Sequence, residues 1–333
     1  MYSTATMVNT FLTSKIYSVE LMDFQLYKKM LGDWAKAQQP VFIMGPERSG
    51  TSLLFQQVSN HPEFCDFSHA TVETFCFIKP WLLLEPAGPE NYEMRVYLGQ
   101  KNLKSFQEKI QPFIMRNKML SEDGMPLQYL NHSDKKSIWF ERRFKHLLRS
   151  FFYHSWQNLG EKRLVEKTPA HIRCAEEILA TFPNAKLLIC TRNPAEIIAS
   201  HRKRYKKEIE LGKEPDDKSI AWLNHSTNDY LKYFSSIDRK ITTLAESHND
   251  KLIVVPYGQL TDDPELNLRK VFDFIGVKNI GATTTSDGKA EQAWDPLLNQ
   301  APQKNLVDFS EQLSAEDLEL INAHKSSLKN SWI

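Results

Sequence analysis

One stretch constrains this chain more than any other: VFIMGPERSGTSLLFQQVSNHP, residues 41–62. A short apolar run ends at Gly45-Pro46, and a run with helical spacing follows Gly50 until Asn60-His61-Pro62 stops it. The segment predicts a buried strand, a glycine-bounded loop and a helix. That is the context of a phosphate-binding loop, whose pattern is G-x-x-x-x-G-K-[ST]. Gly45 and Gly50 have the spacing and Ser52 the hydroxyl, but Thr51 stands where the lysine belongs. What is left is a cradle of backbone N–H groups at a helix N-terminus, with Arg48 as the permanent cation in mid-loop.

Elsewhere the chain supplies the elements such a loop needs. Residues 19–37 carry apolar positions at helical spacing and predict an N-terminal helix. Residues 138–160 put Phe140, Phe144, Leu147, Leu148, Phe151 and Phe152 on one stripe, the mark of a core-facing helix. KRLVEKTPAHIRCAEEILATFP predicts a short strand and a helix with Thr168 as N-cap and Pro169 at its first position. NAKLLICTRNPAEIIASHRKRY predicts a strand at 186–191, then a helix capped by Asn193, with Pro194 first and Glu196 placed for a capping box. A helical stretch at about 219–249 precedes one more strand and helix in DKLIVVPYGQLTDDPELNLRKVFDFIGV. Alternation of this kind predicts an α/β fold with three layers, α/β/α, around a central parallel sheet. Ligands of such sheets sit beyond the carboxyl ends of the strands, where all the motifs fall. With no repeat or Gly/Ser linker, we expect a single domain over 1–333. Its core spans about 38–80 and 160–280, with a helical substrate-side insertion at about 81–159 and a C-terminal segment at 281–333.

The formal net charge is +1, which gives no global drive toward nucleic acid or membrane, so any anion site is local. Cys65, Cys76, Cys174 and Cys190 lack C-x-x-C or metal-type spacing. The first twenty residues lack the pattern of a secretory signal, and no window reaches 18 apolar residues. A cytoplasmic protein without nucleic-acid or membrane partners is the expectation; the oligomeric state stays unassigned.

Two further segments carry chemistry. In TRNPAEIIAS, Arg192 leaves a strand end and Ser200 follows eight residues later. Asn193 and Ser200 lie on one helix face roughly 10 Å apart along the axis. Arg192 and Ser200 are thus placed to grip a second anion. In VEKTPAH, Lys167 leaves another strand end toward the same crevice. Two anion sites without the loop lysine describe a nucleotide carrying phosphate at both ends of its ribose.

At these residues the chain resembles the sulfotransferases that use 3′-phosphoadenosine 5′-phosphosulfate (PAPS). Their 5′-phosphosulfate loop, P-x-[RK]-[ST]-G-T-[TS]-x-L, is similar to PERSGTSLL, and their 3′-phosphate motif, R-[ND]-P-x-x-x-x-x-S, to RNPAEIIAS. EKTP and HPEF…VETFCFIKPW look like the glycan-modifying branch; the resemblance covers roughly 40–80 and 163–277. It implies a sulfotransferase fold, similar to that of P-loop NTPases, and PAPS as co-substrate with no metal. It also implies binding of the nucleotide by Pro46, Glu47, Arg48, Ser49, Gly50, Thr51, Ser52, Arg192 and Ser200. Arg48 and Lys167 would stabilise developing charge, and the base would be Glu73, with His69 as its competitor. Glu166 is expected to hold Lys167. The implied acceptor is a glycan or small molecule, attacked through oxygen or nitrogen. Trp81, Arg95, Tyr129 and Trp139 are the candidate contacts in the insertion, while His132, His154, His201 and His225 are read as packing or surface residues. Two rival readings stand beside this one: a P-loop kinase or NTPase, and a non-catalytic binder of nucleotides or sulfated glycans.

Overall fold

The apolar run of the opening stretch is an inner strand of a sheet. A computed structural model of the chain describes residues 25–65, 73–78, 83, 138–282, 309 and 311–332. His69, Trp81, Arg95, Tyr129, His132 and the side chains of Trp139 and Phe140 lie outside the described residues, as does most of the expected insertion. Among the described residues four strands form one sheet: β1 (Val41–Met44), β2 (Val165–Lys167), β3 (Lys186–Thr191) and β4 (Leu252–Pro256). The order is β2-β1-β3-β4, and every pairing is parallel, with Ile43 beside Lys167 and Met44 beside Ile189. Every residue of β1 and β2, and all but the first of β3, is buried, as a parallel sheet covered on both faces requires.

The helices are α1 (residues 25–37), α2 (Thr51–Ser59), α3 (Ile138–Asn158), α4 (Ala175–Thr181), α5 (Pro194–Glu210) and α6 (Thr227–His248). They continue with α7 (Tyr257–Asp262), α8 (Pro264–Ile275) and α9 (Ala315–Lys325). The step from β1 to β2 runs opposite to the steps from β2 to β3 and β4, so right-handed crossovers put their helices on opposite faces. The Phe42 ring meets Phe152 at 5.7 Å and Phe182 at 6.1 Å, on the side of α3 and α4. His61, just past α2, packs on Phe272 of α8 at 5.5 Å on the other side. Phe144, Leu147, Leu148, Phe151 and Phe152 of the α3 stripe are all buried. No helix among the described residues is long and apolar enough to cross a membrane.

Three local expectations change. Thr168 does not cap an α-helix; Pro169–Cys174 is a 3₁₀ turn ahead of α4, and the Thr168 hydroxyl instead donates to Glu166 at 2.6 Å. A carboxylate is a stronger acceptor than the capping geometry offers. Asn193 does cap α5, accepting from the Ala195 N–H at 3.0 Å, but Glu196 closes no capping box because Arg192 Nε claims its carboxylate at 2.6 Å. The helical stretch about 219–249 is divided into a 3₁₀ turn, Ala221–Leu223, and α6, capped by Ser226.

The segment after α9 returns to the sheet. Asp238 of α6 accepts from the N–H groups of Lys329 and Asn330, both at 2.9 Å, and from Trp332 Nε1 at 2.8 Å. The Thr191 hydroxyl, at the end of β3, donates to the Ser331 carbonyl.

Candidate active site

The loop after β1 enters a space with no room for a side chain. Gly45 has φ 146°, and a Cβ there would stand 2.3 Å from the Cys190 carbonyl oxygen. The N–H and the hydroxyl of Ser49 both donate to the Pro46 carbonyl, the latter at 2.7 Å, so Ser49, fully buried, ties the loop to itself. Glu47 accepts from the Tyr233 hydroxyl at 2.8 Å, which fastens the loop to α6. Arg48 adopts φ 68° at the loop apex, a left-handed conformation that costs a non-glycine residue about 1–3 kcal/mol, and its side chain is exposed. Gly50, at φ 93°, lies against the Tyr257 ring, where a Cβ would come within 2.4 Å of Cδ2. Helix α2 then starts with no side-chain cap and no acidic residue in its first turn, so its first N–H groups offer themselves to an anion. Thr51, buried, and Ser52, half-buried, hold its first two positions.

Arg192 follows β3 and is 5% exposed. Its Nη1 donates to the Arg48 carbonyl at 3.1 Å, and its guanidinium lies 4.2 Å from the centre of the Tyr257 ring. Nη2 is buried and has no partner among the described residues. Ser200, on α5, accepts from Arg48 Nε at 2.9 Å, so the two expected anion motifs are joined to each other. Tyr257 is a residue that sequence reading missed. Only a Tyr-Gly after an apolar run marks it, yet it forms a wall shared by Gly50 and Arg192.

Beneath this site His201 is a packing residue. Its Nδ1 is 2.9 Å from the Tyr230 hydroxyl, which itself donates to the Leu223 carbonyl at 3.0 Å. Burial, with the nearby Arg48 charge, pushes the imidazole pKa down to about 3, so it is neutral at pH 7. His154 is also buried, and His225 is exposed.

At the end of β2, Lys167 is 2% exposed and donates to Glu73 Oε1 at 2.5 Å; Glu73 is 31% exposed. The expectation that Glu166 holds Lys167 is therefore corrected, because successive strand residues point to opposite sides of the sheet. Glu166, 1% exposed, instead accepts from Thr74 Oγ1 at 2.8 Å, Thr168 Oγ1 at 2.6 Å and His171 Nδ1 at 2.9 Å. Burial alone would raise its pKa, but His171 and the two hydroxyl donors outweigh it and hold the carboxyl below its ordinary range. No group of three or more metal-ligating side chains occurs among the described residues.

The crevice thus gathers at the carboxyl ends of β1, β2 and β3 an open helix N-terminus, a lysine–glutamate pair and a buried guanidinium nitrogen without a partner among the described residues. Such a set can hold two anionic groups and stabilise charge between them. A curated relative, an uncharacterized protein of Aquifex aeolicus (strain VF5), is 20% identical over 265 residues, 77% of this chain; the chain spans 28% of that relative's length. Similar solved structures include a sulfotransferase from Mycobacterium avium (15% identity, 88% of this chain and 77% of that one, TM-score 0.44). Others are the sulfotransferase domain of the Synechococcus PCC 7002 olefin synthase (18%, 88% and 97%, TM-score 0.44) and a sulfotransferase from Alicyclobacillus acidocaldarius (14%, 87% and 92%, TM-score 0.45). The model of the sulfotransferase family matches residues 40–280, from just before β1 to just past α8. That match takes in the loop, the Lys167 strand end and the Arg192 helix together, and the chain belongs to the sulfotransferase family.

Proposed function

We propose that the chain moves a sulfuryl group from PAPS to a hydroxyl or amine of a glycan or small-molecule acceptor and releases 3′,5′-ADP. The observation that carries this reading is the junction of two anion sites through Arg48 and Ser200, with the Lys167–Glu73 pair at the neighbouring strand end. PAPS supplies an activated sulfuryl group and its phosphate leaving group when bound. The residues present fit it: Arg192 Nη2 is buried without a partner among the described residues, and Gly45 and Gly50 keep the loop floor clear of side chains.

In this reading Arg192 and Ser200 hold the 3′-phosphate and so select PAPS over ATP. The first N–H groups of α2 and the hydroxyls of Thr51 and Ser52 hold the 5′-phosphate. Pro46, Glu47 and Ser49 shape the loop rather than touch the ligand, through the bonds to Pro46 and Tyr233. As the acceptor–sulfur bond forms and the sulfur–phosphate oxygen bond breaks, Arg48 and Lys167 stabilise charge on the bridging and sulfuryl oxygens. Glu73 takes the acceptor's proton while Lys167 turns from it to the sulfuryl group. Glu73 is preferred to His69 because its carboxylate already sits on Lys167.

Thermal-shift titration with 3′,5′-ADP and with ATP–Mg²⁺ tests the donor. Stabilisation by 3′,5′-ADP is expected; stabilisation by ATP–Mg²⁺ alone would make the chain a kinase or NTPase. Radiolabelled PAPS with a panel of sugars, phenols and amines tests transfer, and binding without transfer to any acceptor would leave a nucleotide-binding protein. Glu73→Gln is expected to keep 3′,5′-ADP binding and to lose most turnover; near-normal turnover would return the base role to His69.

A further inference from the structure

We infer that Glu166 is a positioning residue: through Thr74 it seats Glu73 against Lys167, so a carboxylate that never meets the substrate sets the place of the one that does. The inference rests on the proposed role of Glu73 and goes beyond it to what fixes that residue.

A buried carboxylate needs a reason, since removing such a group from water is costly unless it is paired or hydrogen-bonded. Pairing with Lys167 is not that reason, because Lys167 faces the other way and has Glu73. What Glu166 does touch is the segment carrying Glu73. Residues 73–78 belong to no helix or strand; Cys76 and Phe77 are buried, with the Phe77 ring on Phe42 and Phe152, and side-chain bonds to the backbone fix the residues before them. Glu166 Oε1 accepts from the Thr74 hydroxyl at 2.8 Å and from its N–H at 3.4 Å. Oε2 accepts from His171 Nδ1 at 2.9 Å, and His171 Nε2 accepts in turn from the Phe77 N–H at 3.3 Å. Thr168, bonded to the same carboxylate, receives the Phe75 N–H at 3.4 Å. Three backbone N–H groups of the segment, at positions 74, 75 and 77, thus end on Glu166 directly or through one side chain.

The carboxylate also fixes the histidine. The Phe77 N–H requires a lone pair on Nε2, so the proton is assigned to Nδ1, and an acceptor-only group must face it. Glutamine at 166 breaks this. With its oxygen kept toward the two threonines, its NH₂ would face Nδ1 and drive the proton to Nε2, against the Phe77 N–H. The segment then loses its second anchor while the sheet keeps its packing.

The test uses the full chain and reads the cover over Lys167. Acetic anhydride labels lysines, and mass spectrometry gives the rate at Lys167. Glu73→Ala, which removes the side chain that covers it, serves as reference for an uncovered lysine. Glu166→Gln and Thr74→Val are each expected to raise the labelling rate several-fold toward that reference. Thr74→Ser, which keeps the hydroxyl, should label like wild type. Stabilisation by 3′,5′-ADP should be unchanged in all of them, which separates a displaced segment from a damaged fold. Labelling of Lys167 at the wild-type rate in a folded Glu166→Gln or Thr74→Val would overturn the inference; should the first not fold, the second still decides. Turnover of PAPS into water, measured on the same samples and on Glu73→Gln, keeps the two readings apart. Undiminished turnover in Glu73→Gln removes the base role, whereas unchanged labelling in the Glu166 and Thr74 variants removes the positioning role.

Discussion

Arg48 Nε donates to Ser200 Oγ at 2.9 Å, so the loop after β1 and the helix after β3 are linked directly to each other. If both serve one nucleotide, Ser200→Ala should weaken 3′,5′-ADP by about tenfold, the loss of one hydrogen bond to a charged group. Binding of 5′-AMP, which lacks the 3′-phosphate, should change less. Calorimetric titration of both ligands checks this, and equal affinities in wild type and variant would remove Ser200 from the site.

Arg192→Lys keeps the charge and gives up the fork. The variant lacks the buried Nη2 and the stack on Tyr257. We expect it to lose about 1.5–3 kcal/mol of 3′,5′-ADP binding and little of 5′-AMP binding. A parallel loss for both ligands would mean that Arg192 supports the loop and does not bind the phosphate.

Gly50 and Gly212 make a matched pair: φ is 93° and 94°, but a Cβ meets the Tyr257 ring at 2.4 Å in one and nothing within 4 Å in the other. Gly212→Ala carries only the backbone cost of a left-handed conformation, about 1–2 kcal/mol. Gly50→Ala adds a ring displacement beside Arg192, so it should lower the melting temperature further and abolish the 3′,5′-ADP shift. Equal melting temperatures in the two variants would show that the ring yields without cost.

His201 couples stability to acid. Its folded pKa is lowered to about 3 from 6.5, so below pH 6.5 the unfolded chain binds a proton that the folded chain refuses. Stability is therefore full above pH 6.5 and falls as the pH drops toward 3, by about 2 kcal/mol at pH 5 from this group. Urea unfolding at pH 7 and pH 5 should show a smaller difference in His201→Gln than in wild type, and an unchanged difference would contradict the assignment.

The sheet and its loops were legible because strand runs such as VFIM and KLLICT are buried on both faces and stand between glycine, proline and asparagine signals. That Arg48, Lys167 and Arg192 would lie at or just past strand ends, with Ser200 on the helix after β3, was legible through spacing. What spacing cannot show is which partner a charged side chain chooses. Glu196 was placed for a capping box and went to Arg192; Glu166 was placed beside Lys167 and went to Thr74 and His171. Both outcomes depend on contacts brought together by folding, and on strand alternation that a three-residue strand barely displays. Tyr257 was missed because its role is to present a ring face, which leaves no pattern in the chain.

The Ser331 carbonyl that receives the Thr191 hydroxyl lies 140 residues further along the chain, and Asp238 waits for Lys329, Asn330 and Trp332. Thr191 precedes Arg192, so the strand end that aims this arginine is completed by a segment that leaves the ribosome about 140 residues after it. A nascent chain with β1 to β4 already paired would still have an unfinished crevice, exposed to chaperones until synthesis passes residue 332.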